Sequence, residues 1–107
     1  MKQVDPQQSI DKIVLATGNI SRPYIVRDIA FAMNTIDFPT FNATKDPNEL
    51  FTIVIQQLKE KALEYSADAL INCHFSYAHE QMNPEEPIVR ISAYGTIVQF
   101  RNSTIGG

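Results

Sequence analysis

Three side chains in this sequence carry the donor atoms that transition metals prefer. Cys73 and His74 are adjacent, His79 follows five residues later, and the chain has no other cysteine or histidine. Thiolate sulfur and imidazole nitrogen bind zinc, nickel and copper, so these residues are candidate ligands for a divalent transition metal. The next acidic residues would add oxygen ligands: Glu80, Glu85 and Glu86. A buried cysteine and two surface histidines are the more ordinary interpretation, because no CxxC or HxxxH spacing of a closed zinc site occurs.

Three further side chains are candidates for binding an organic ligand. The guanidinium of Arg90 has the fork geometry that holds a carboxylate, although an unpaired surface arginine is more common. Tyr94 shares a predicted strand face with Ser92 and Thr96, which could line a pocket between subunits or simply bury one satisfied hydroxyl. Asp68 stands between a helix and a strand, where a carboxylate acts as a base or, more often, accepts backbone N–H groups.

Composition and charge exclude several classes of function. The chain has 107 residues, with twelve acidic and nine basic side chains and a net charge of −3. Its densest basic stretch, residues 59–61, already contains a glutamate, so no cluster of cations for nucleic acid is present. The first residues are polar where a signal peptide is apolar, and no apolar run is long enough to span a membrane. We therefore expect a cytoplasmic protein without nucleic-acid or membrane partners, and the single cysteine fits a reducing compartment.

The length allows one hydrophobic core. A compact protein of 12.1 kDa exposes roughly 6,000 Å² and buries about two-thirds of the surface of its unfolded chain. The sequence predicts a single domain over residues 1–107, with a core over about 11–101 and flexible ends at 1–9 and 102–107.

A long amphipathic helix is the clearest element of the pattern. Asp46, Pro47 and Glu49 form a helix start, with a capping residue, proline at the first position and glutamate at the third. Apolar residues at three- and four-residue steps then form a stripe that should pack on a sheet: Phe51, Val54, Leu58, Ala62 and Tyr65. Additional apolar residues widen this surface, which indicates that something else covers it, such as a second subunit: Leu50, Ile53 and Ile55.

Four strands are predicted around this helix. The alternating pattern over residues 69–77 predicts a strand with one buried face, which directs Cys73 into the core and His74 away from it. In a last strand over 88–101, the apolar residues stand at odd positions before Gly95 and at even positions after it, which predicts a β-bulge there. Residues 13–16 indicate a first strand, and 24–33 favour a strand although a short helix is an open alternative. Residues 35–45 and 78–87 are predicted loops. The order β-β-α-β-β describes an α+β subunit, a mainly antiparallel sheet with one long helix on one face.

Two stretches resemble a known family. Residues 62–75 read ALEYSADALINCHF, and residues 93–98 read AYGTIV. Both are similar to signatures of the YbjQ-like family of uncharacterised bacterial proteins, also labelled a heavy-metal-binding domain, although Ser66 stands where that family usually has glycine. The resemblance implies a β-β-α-β-β subunit that forms a homo-oligomeric ring, a pentamer, in the cytosol. The metal label rests on a fold similarity to metal chaperones, whose CxxC loop is absent here.

Three functional hypotheses follow. The first is a non-enzymatic homo-oligomeric module that binds a small ligand or metal ion at a subunit interface. The second is an enzyme that uses His74 or His79 as acid or base with Asp68 or Glu80, which no spacing signature favours. The third is a structural subunit without a ligand.

Overall fold

The computed structural model describes residues 6–44, 46–81 and 87–101. In chain order these residues form helix α1 (Pro6–Asp11), strands β1 (Val14–Leu15) and β2 (Tyr24–Asp37), helices α2 (Phe38–Ala43) and α3 (Pro47–Glu64), and strands β3 (Ala69–Gln81) and β4 (Pro87–Phe100). The strands lie in the order β1-β3-β4-β2, with β1 parallel to β3 and the other pairs antiparallel. The predicted α+β class, with a mostly antiparallel sheet and one long helix, is confirmed.

Helix α3 packs on one side of the sheet, which we call the helix face; the opposite side is the open face. The predicted start is confirmed, because the Asp46 side chain caps the helix by accepting the N–H of Asn48 at 3.0 Å. The predicted stripe also meets the sheet, and Val54, Leu58 and Ala62 are fully buried. Ile53, which lies off this stripe, is half exposed.

The end of α3 forms a left-handed turn built on serine. Ser66 has φ 53°, and its N–H donates to Leu63 O at 2.9 Å while the N–H of Ala67 donates to Ala62 O at 3.0 Å. These two bonds are those of a Schellman motif, which usually has glycine at the left-handed position. The junction keeps the geometry that glycine favours even though serine occupies it.

The predicted bulge lies in β3 rather than in β4. Ile71 pairs with Thr96 and His74 with Tyr94, so Asn72 and Cys73 together oppose Gly95. Asn72 has φ 51°, a left-handed conformation that asparagine tolerates better than most residues. A Cβ added to Gly95 would lie 2.6 Å from Cys73 Sγ. Glycine is therefore required opposite the bulge by this close approach.

The bulge also corrects the predicted face of β3. Before the bulge the even-numbered residues face α3, and after it the odd-numbered residues do. Ala69 and Ile71 therefore pack on the open face against Val98, whereas Leu70 and Cys73 belong to the core under α3. The expectation that residues 69–77 bury one continuous alternate set was wrong, because one extra residue reverses the alternation. The predicted placement of Cys73 inside and His74 outside is correct.

Strand β2 confirms the strand interpretation of residues 24–33 and extends it to Asp37. Small residues face the core, since Ala30 and Ala32 are buried, while the larger alternate residues project to the open face. The predicted loop over 35–45 is largely wrong. Asp37 ends the strand, and its side chain caps α2 by accepting the N–H of Thr40 at 2.7 Å. The proline and polar residues of this segment are also typical of a loop, so the sequence pattern did not indicate the helix.

Two other element boundaries differ from the predicted ones. Residues 78–81 continue β3, so the predicted loop shortens, and residues 82–86 lie outside the described residues. Residues 6–9, expected in a flexible end, belong to α1, whereas 1–5 and 102–107 lie outside the described residues. Among the described residues, no helix combines the length and hydropathy needed to cross a bilayer.

Candidate functional site

Aromatic side chains from three adjacent strands form a row across the open face. The imidazole of His74 in β3 stacks on the ring of Tyr94 in β4, with centroids 5.0 Å apart and planes inclined by 21°. Tyr94 in turn contacts Phe31 in β2 at 6.2 Å. The register explains the row, because Tyr94 pairs with both His74 and Phe31. We call these three residues the aromatic row.

A shallow groove of about 220 Å³ runs beside the aromatic row. Its lining combines the rings of His74 and Tyr94 with the hydroxyls of Ser76 and Ser92, which share a hydrogen bond of 2.8 Å. The groove thus offers an imidazole and hydroxyl groups on an apolar surface, but no carboxylate of the described residues lines it. Because the groove is shallow, it can contact only one side of a planar ligand or of a metal ion.

Arg90 lies on the open face of β4, two residues before Ser92. Its Nη2 lies 2.8 Å from Glu80 Oε2, and both side chains remain more than a third exposed. The Nε atom of Arg90 is buried and has no hydrogen-bond partner among the described residues. The predicted ligand-binding arginine is therefore held by a neighbouring carboxylate and shares the open face with Tyr94.

Asp68 lies apart from this group and holds the end of β4. Its Oδ2 accepts the N–H of Phe100 at 2.7 Å, and its own N–H donates to Val98 O at 3.0 Å. The carboxylate therefore fastens the helix-to-strand junction to the last strand. This contact is the backbone-binding role that the sequence favoured over a catalytic base.

The three predicted metal ligands point in different directions. Cys73 is buried on the helix face, and burial raises the pKa of its thiol above the ordinary value. His74 projects from the open face. His79 returns to the helix face, where its ring lies 5.5 Å from Phe41 and 5.9 Å from Phe38.

No metal cluster forms within residues 6–44, 46–81 and 87–101, where no three His, Cys, Asp or Glu side chains come together. Of the acidic residues proposed to complete a site, Glu80 pairs with Arg90, and Glu85 and Glu86 lie outside the described residues. A site containing His74 in this fold would need ligands from beyond the described part of one chain.

The sequence prediction missed the apolar members of the open face. Phe31 is 77% exposed, and Ile29 and Met33 are each 55% exposed on the same side of β2. Their alternation was visible as a strand pattern, but large apolar residues at period two normally mark the buried face. They are exposed because α3 packs on the other face of β2, which carries Ala30 and Ala32.

Comparisons with known proteins show a likeness to a solved structure. No family model matches the chain, and no curated protein matches it. A crystal structure of a protein of unknown function from Pediococcus pentosaceus, belonging to the DUF74 family, matches with a TM-score of 0.72 and 20% identity over 83% of this chain and 98% of that one. DUF74 is the YbjQ-like family. This likeness establishes the fold.

Proposed function

We propose that this chain is a homo-oligomeric, non-enzymatic module of the YbjQ-like type that binds a small ligand or metal ion where subunits meet. The observation that carries the proposal is the exposed apolar surface of the open face. Phe31, Ile29 and Met33 are each more than half exposed, and they adjoin Tyr94. A contiguous patch of this kind on a folded domain marks an interaction site.

The YbjQ-like assignment and the pentameric ring have two supports. The stretches at residues 62–75 and 93–98 resemble the signatures of that family, and the fold is shared with a DUF74 protein. The left-handed Ser66 maintains the junction for which that family uses glycine. A bacterial cytosolic location follows from the same resemblance and belongs to this proposal.

The ligand site of the proposal is the groove beside the aromatic row. Neighbouring copies would bring further His74 imidazoles or acidic side chains to the same boundary and complete the coordination of a divalent transition metal. Tyr94 and Arg90 would instead orient an organic ligand. Cys73 and His79 lie on the helix face and do not share this groove.

The enzyme hypothesis has less support. It required a histidine in a deep pocket beside a carboxylate. His74 lines a shallow groove to which the described part of the chain contributes no carboxylate, and His79 is surrounded by aromatic rings.

Light scattering coupled to gel filtration tests the assembly. The wild-type chain should be oligomeric at micromolar concentration, and Phe31→Thr should shift it toward monomer because it removes the most exposed ring of the patch. Phe31→Leu is the matched control, since it keeps a large apolar side chain at the same exposed position. A monomeric wild-type chain at these concentrations would overturn the proposal.

Elemental analysis of protein purified without a histidine tag tests the metal. A stoichiometric transition metal that is lost in His74→Ala and retained in His79→Ala is the expected result for a metal ligand. The two variants remove the same group from opposite faces of β3. Metal retained in His74→Ala would contradict the role of this residue, and a metal-free wild type would restrict the proposal to organic ligands.

A further inference from the structure

Strand β2 forms one edge of the sheet and leaves alternate backbone groups without a strand partner. The pairing of β2 with β4 shifts register between Val26 and Asp28. Beyond this shift, the N–H groups of Ile29 and Met33 bond to side chains instead of β4, the first to Asp28 Oδ1 at 2.8 Å and the second to Gln57 Oε1 at 3.2 Å. Because N–H directions alternate along a strand, those of Phe31 and Thr35 also point outward. Neither has a hydrogen-bond partner among the described residues.

This edge lacks the usual protection against pairing. Exposed edges are normally short, charged, interrupted by proline or covered by another segment. β2 has 14 residues, and its segment 29–36 contains neither proline nor a charged side chain. The only cover that the described residues give to its outward N–H groups comes from Asp28 and Gln57. The edge is therefore a template for another strand.

The opposite edge of the same sheet is also open over part of its length. The short β1 segment covers only the start of β3, where the N–H of Cys73 donates to Ala16 O at 3.0 Å. By the same alternation, the N–H groups of Phe75, Tyr77 and His79 point away from β4. No strand pairs with them among the described residues.

We propose that the outer edge of β2 pairs with the outer edge of β3, residues 75–79, in a second copy of this chain. The inference rests on the homo-oligomer proposed above and deepens it by naming the two surfaces that join. β2 and β3 both run antiparallel to β4, so they run in the same direction. Pairing them between copies is therefore parallel and preserves the orientation of the sheet from one subunit to the next.

This pairing has a consequence for symmetry. It joins two different surfaces, so each copy uses one edge to bind the previous subunit and the other to bind the next. Such a head-to-tail contact closes into a ring when the rotation permits. Pairing of β2 with β2 of a second copy would instead be antiparallel, would end at a dimer and would leave the β3 edge open.

The outward amides provide a direct test by hydrogen exchange on the full wild-type chain. In the oligomer we expect the amides of Phe31, Thr35, Tyr77 and His79 to exchange at least about tenfold more slowly than after dilution to monomer. An oligomer in which all four exchange as fast as in the monomer would overturn edge pairing while leaving the proposed self-association intact. Protection at Phe31 and Thr35 alone would overturn the β2–β3 pairing in favour of a β2–β2 dimer. A chain that is monomeric at micromolar concentration would overturn both proposals.

A proline variant tests the same edge independently. Thr35→Pro removes an outward N–H, which an edge strand tolerates in the monomer because that group bonds no other strand. The expected result is at least about a tenfold weaker self-association than that of Thr35→Ser, which retains the N–H. Circular dichroism verifies that both variants fold. Equal association of the two folded variants would contradict the pairing, and if Thr35→Pro does not fold, the exchange experiment on the wild type decides.

Discussion

At the scale of single residues, Cys73 and Gly95 depend on each other. The bulge in β3 places two residues against one in β4, and the thiol of Cys73 occupies the space in which any side chain at position 95 would begin. Its core position and its raised pKa are typical of a packing residue and not of a reactive thiol.

Gly95→Ala should destabilise the fold by about 1–3 kcal/mol, because the new methyl group overlaps Cys73 Sγ. Cys73→Ala removes that sulfur, so the double variant should be less destabilised than the sum of the two single variants. Urea denaturation of all four proteins measures the coupling. Additive free energies of unfolding would show that Gly95 is required for another reason.

At the scale of elements, Tyr65 links the end of α3 to β2. Its hydroxyl donates a hydrogen bond to Asp28 Oδ2. This bond is the main reason that the pKa of the Asp28 carboxyl is lowered and the pKa of the Tyr65 hydroxyl is raised. The contact therefore stabilises the docking of the helix on the sheet only while Asp28 is ionised and Tyr65 is protonated.

The lowered pKa of Asp28 predicts a pH dependence. The contact contributes stability above the unfolded-state pKa of about 3.9 and loses it as the pH falls through the lower folded-state value. Tyr65→Phe should therefore reduce stability at neutral pH and flatten the acid part of the curve of unfolding free energy against pH. Tyr24→Phe is the control, because the hydroxyl of Tyr24 donates to the uncharged Asn19 side chain at 2.9 Å. The same acid dependence in Tyr65→Phe as in wild type would contradict this account.

The left-handed junction after α3 allows a stabilising change. Ser66 has φ 53°, a conformation that costs a non-glycine residue about 1 kcal/mol. Ser66→Gly should raise the free energy of unfolding by up to about that amount, less the greater entropy of glycine in the unfolded chain. Ser66→Ala, which keeps a Cβ, should not stabilise. Thermal denaturation of the three proteins measures the difference, and a less stable Ser66→Gly would contradict the prediction.

At the scale of the whole molecule, the sheet has more apolar surface than α1, α2 and α3 cover. All three helices lie on or beside the helix face, while the aromatic row and its aliphatic neighbours remain exposed. If subunits cover this surface, folding and association are linked, since a partner that binds only the folded chain stabilises it.

This linkage predicts a melting temperature that depends on protein concentration. Between about 1 and about 100 µM, the Tm of the wild type should rise, because mass action favours the oligomer. Phe31→Thr should reduce this dependence, and Phe31→Leu should retain it. Differential scanning fluorimetry over a dilution series provides the measurement, and a Tm independent of concentration in the wild type would contradict linked assembly.

The sequence by itself determined the features that depend on local pattern. The cap at Asp46 and Pro47 and the apolar stripe through Leu58 located α3, and the fold class followed from the surrounding strands. The opposite orientations of Cys73 and His74 also followed from alternation within a few residues. For the candidate site, the shared face of Tyr94 and Ser92 was predictable, because both lie on one uninterrupted stretch of strand.

Only the tertiary structure decided the strand register and which faces of the strands meet α3. The extra residue at Asn72 and Cys73 becomes visible when β3 is aligned with β4, and it reverses which side chains are buried. Which face of β2 meets α3 likewise depends on helix packing and not on the hydropathy of β2, so Phe31 is exposed while Ala30 is buried. The aromatic row joins residues distant in the chain, and its formation depends on strand register, which local pattern does not specify.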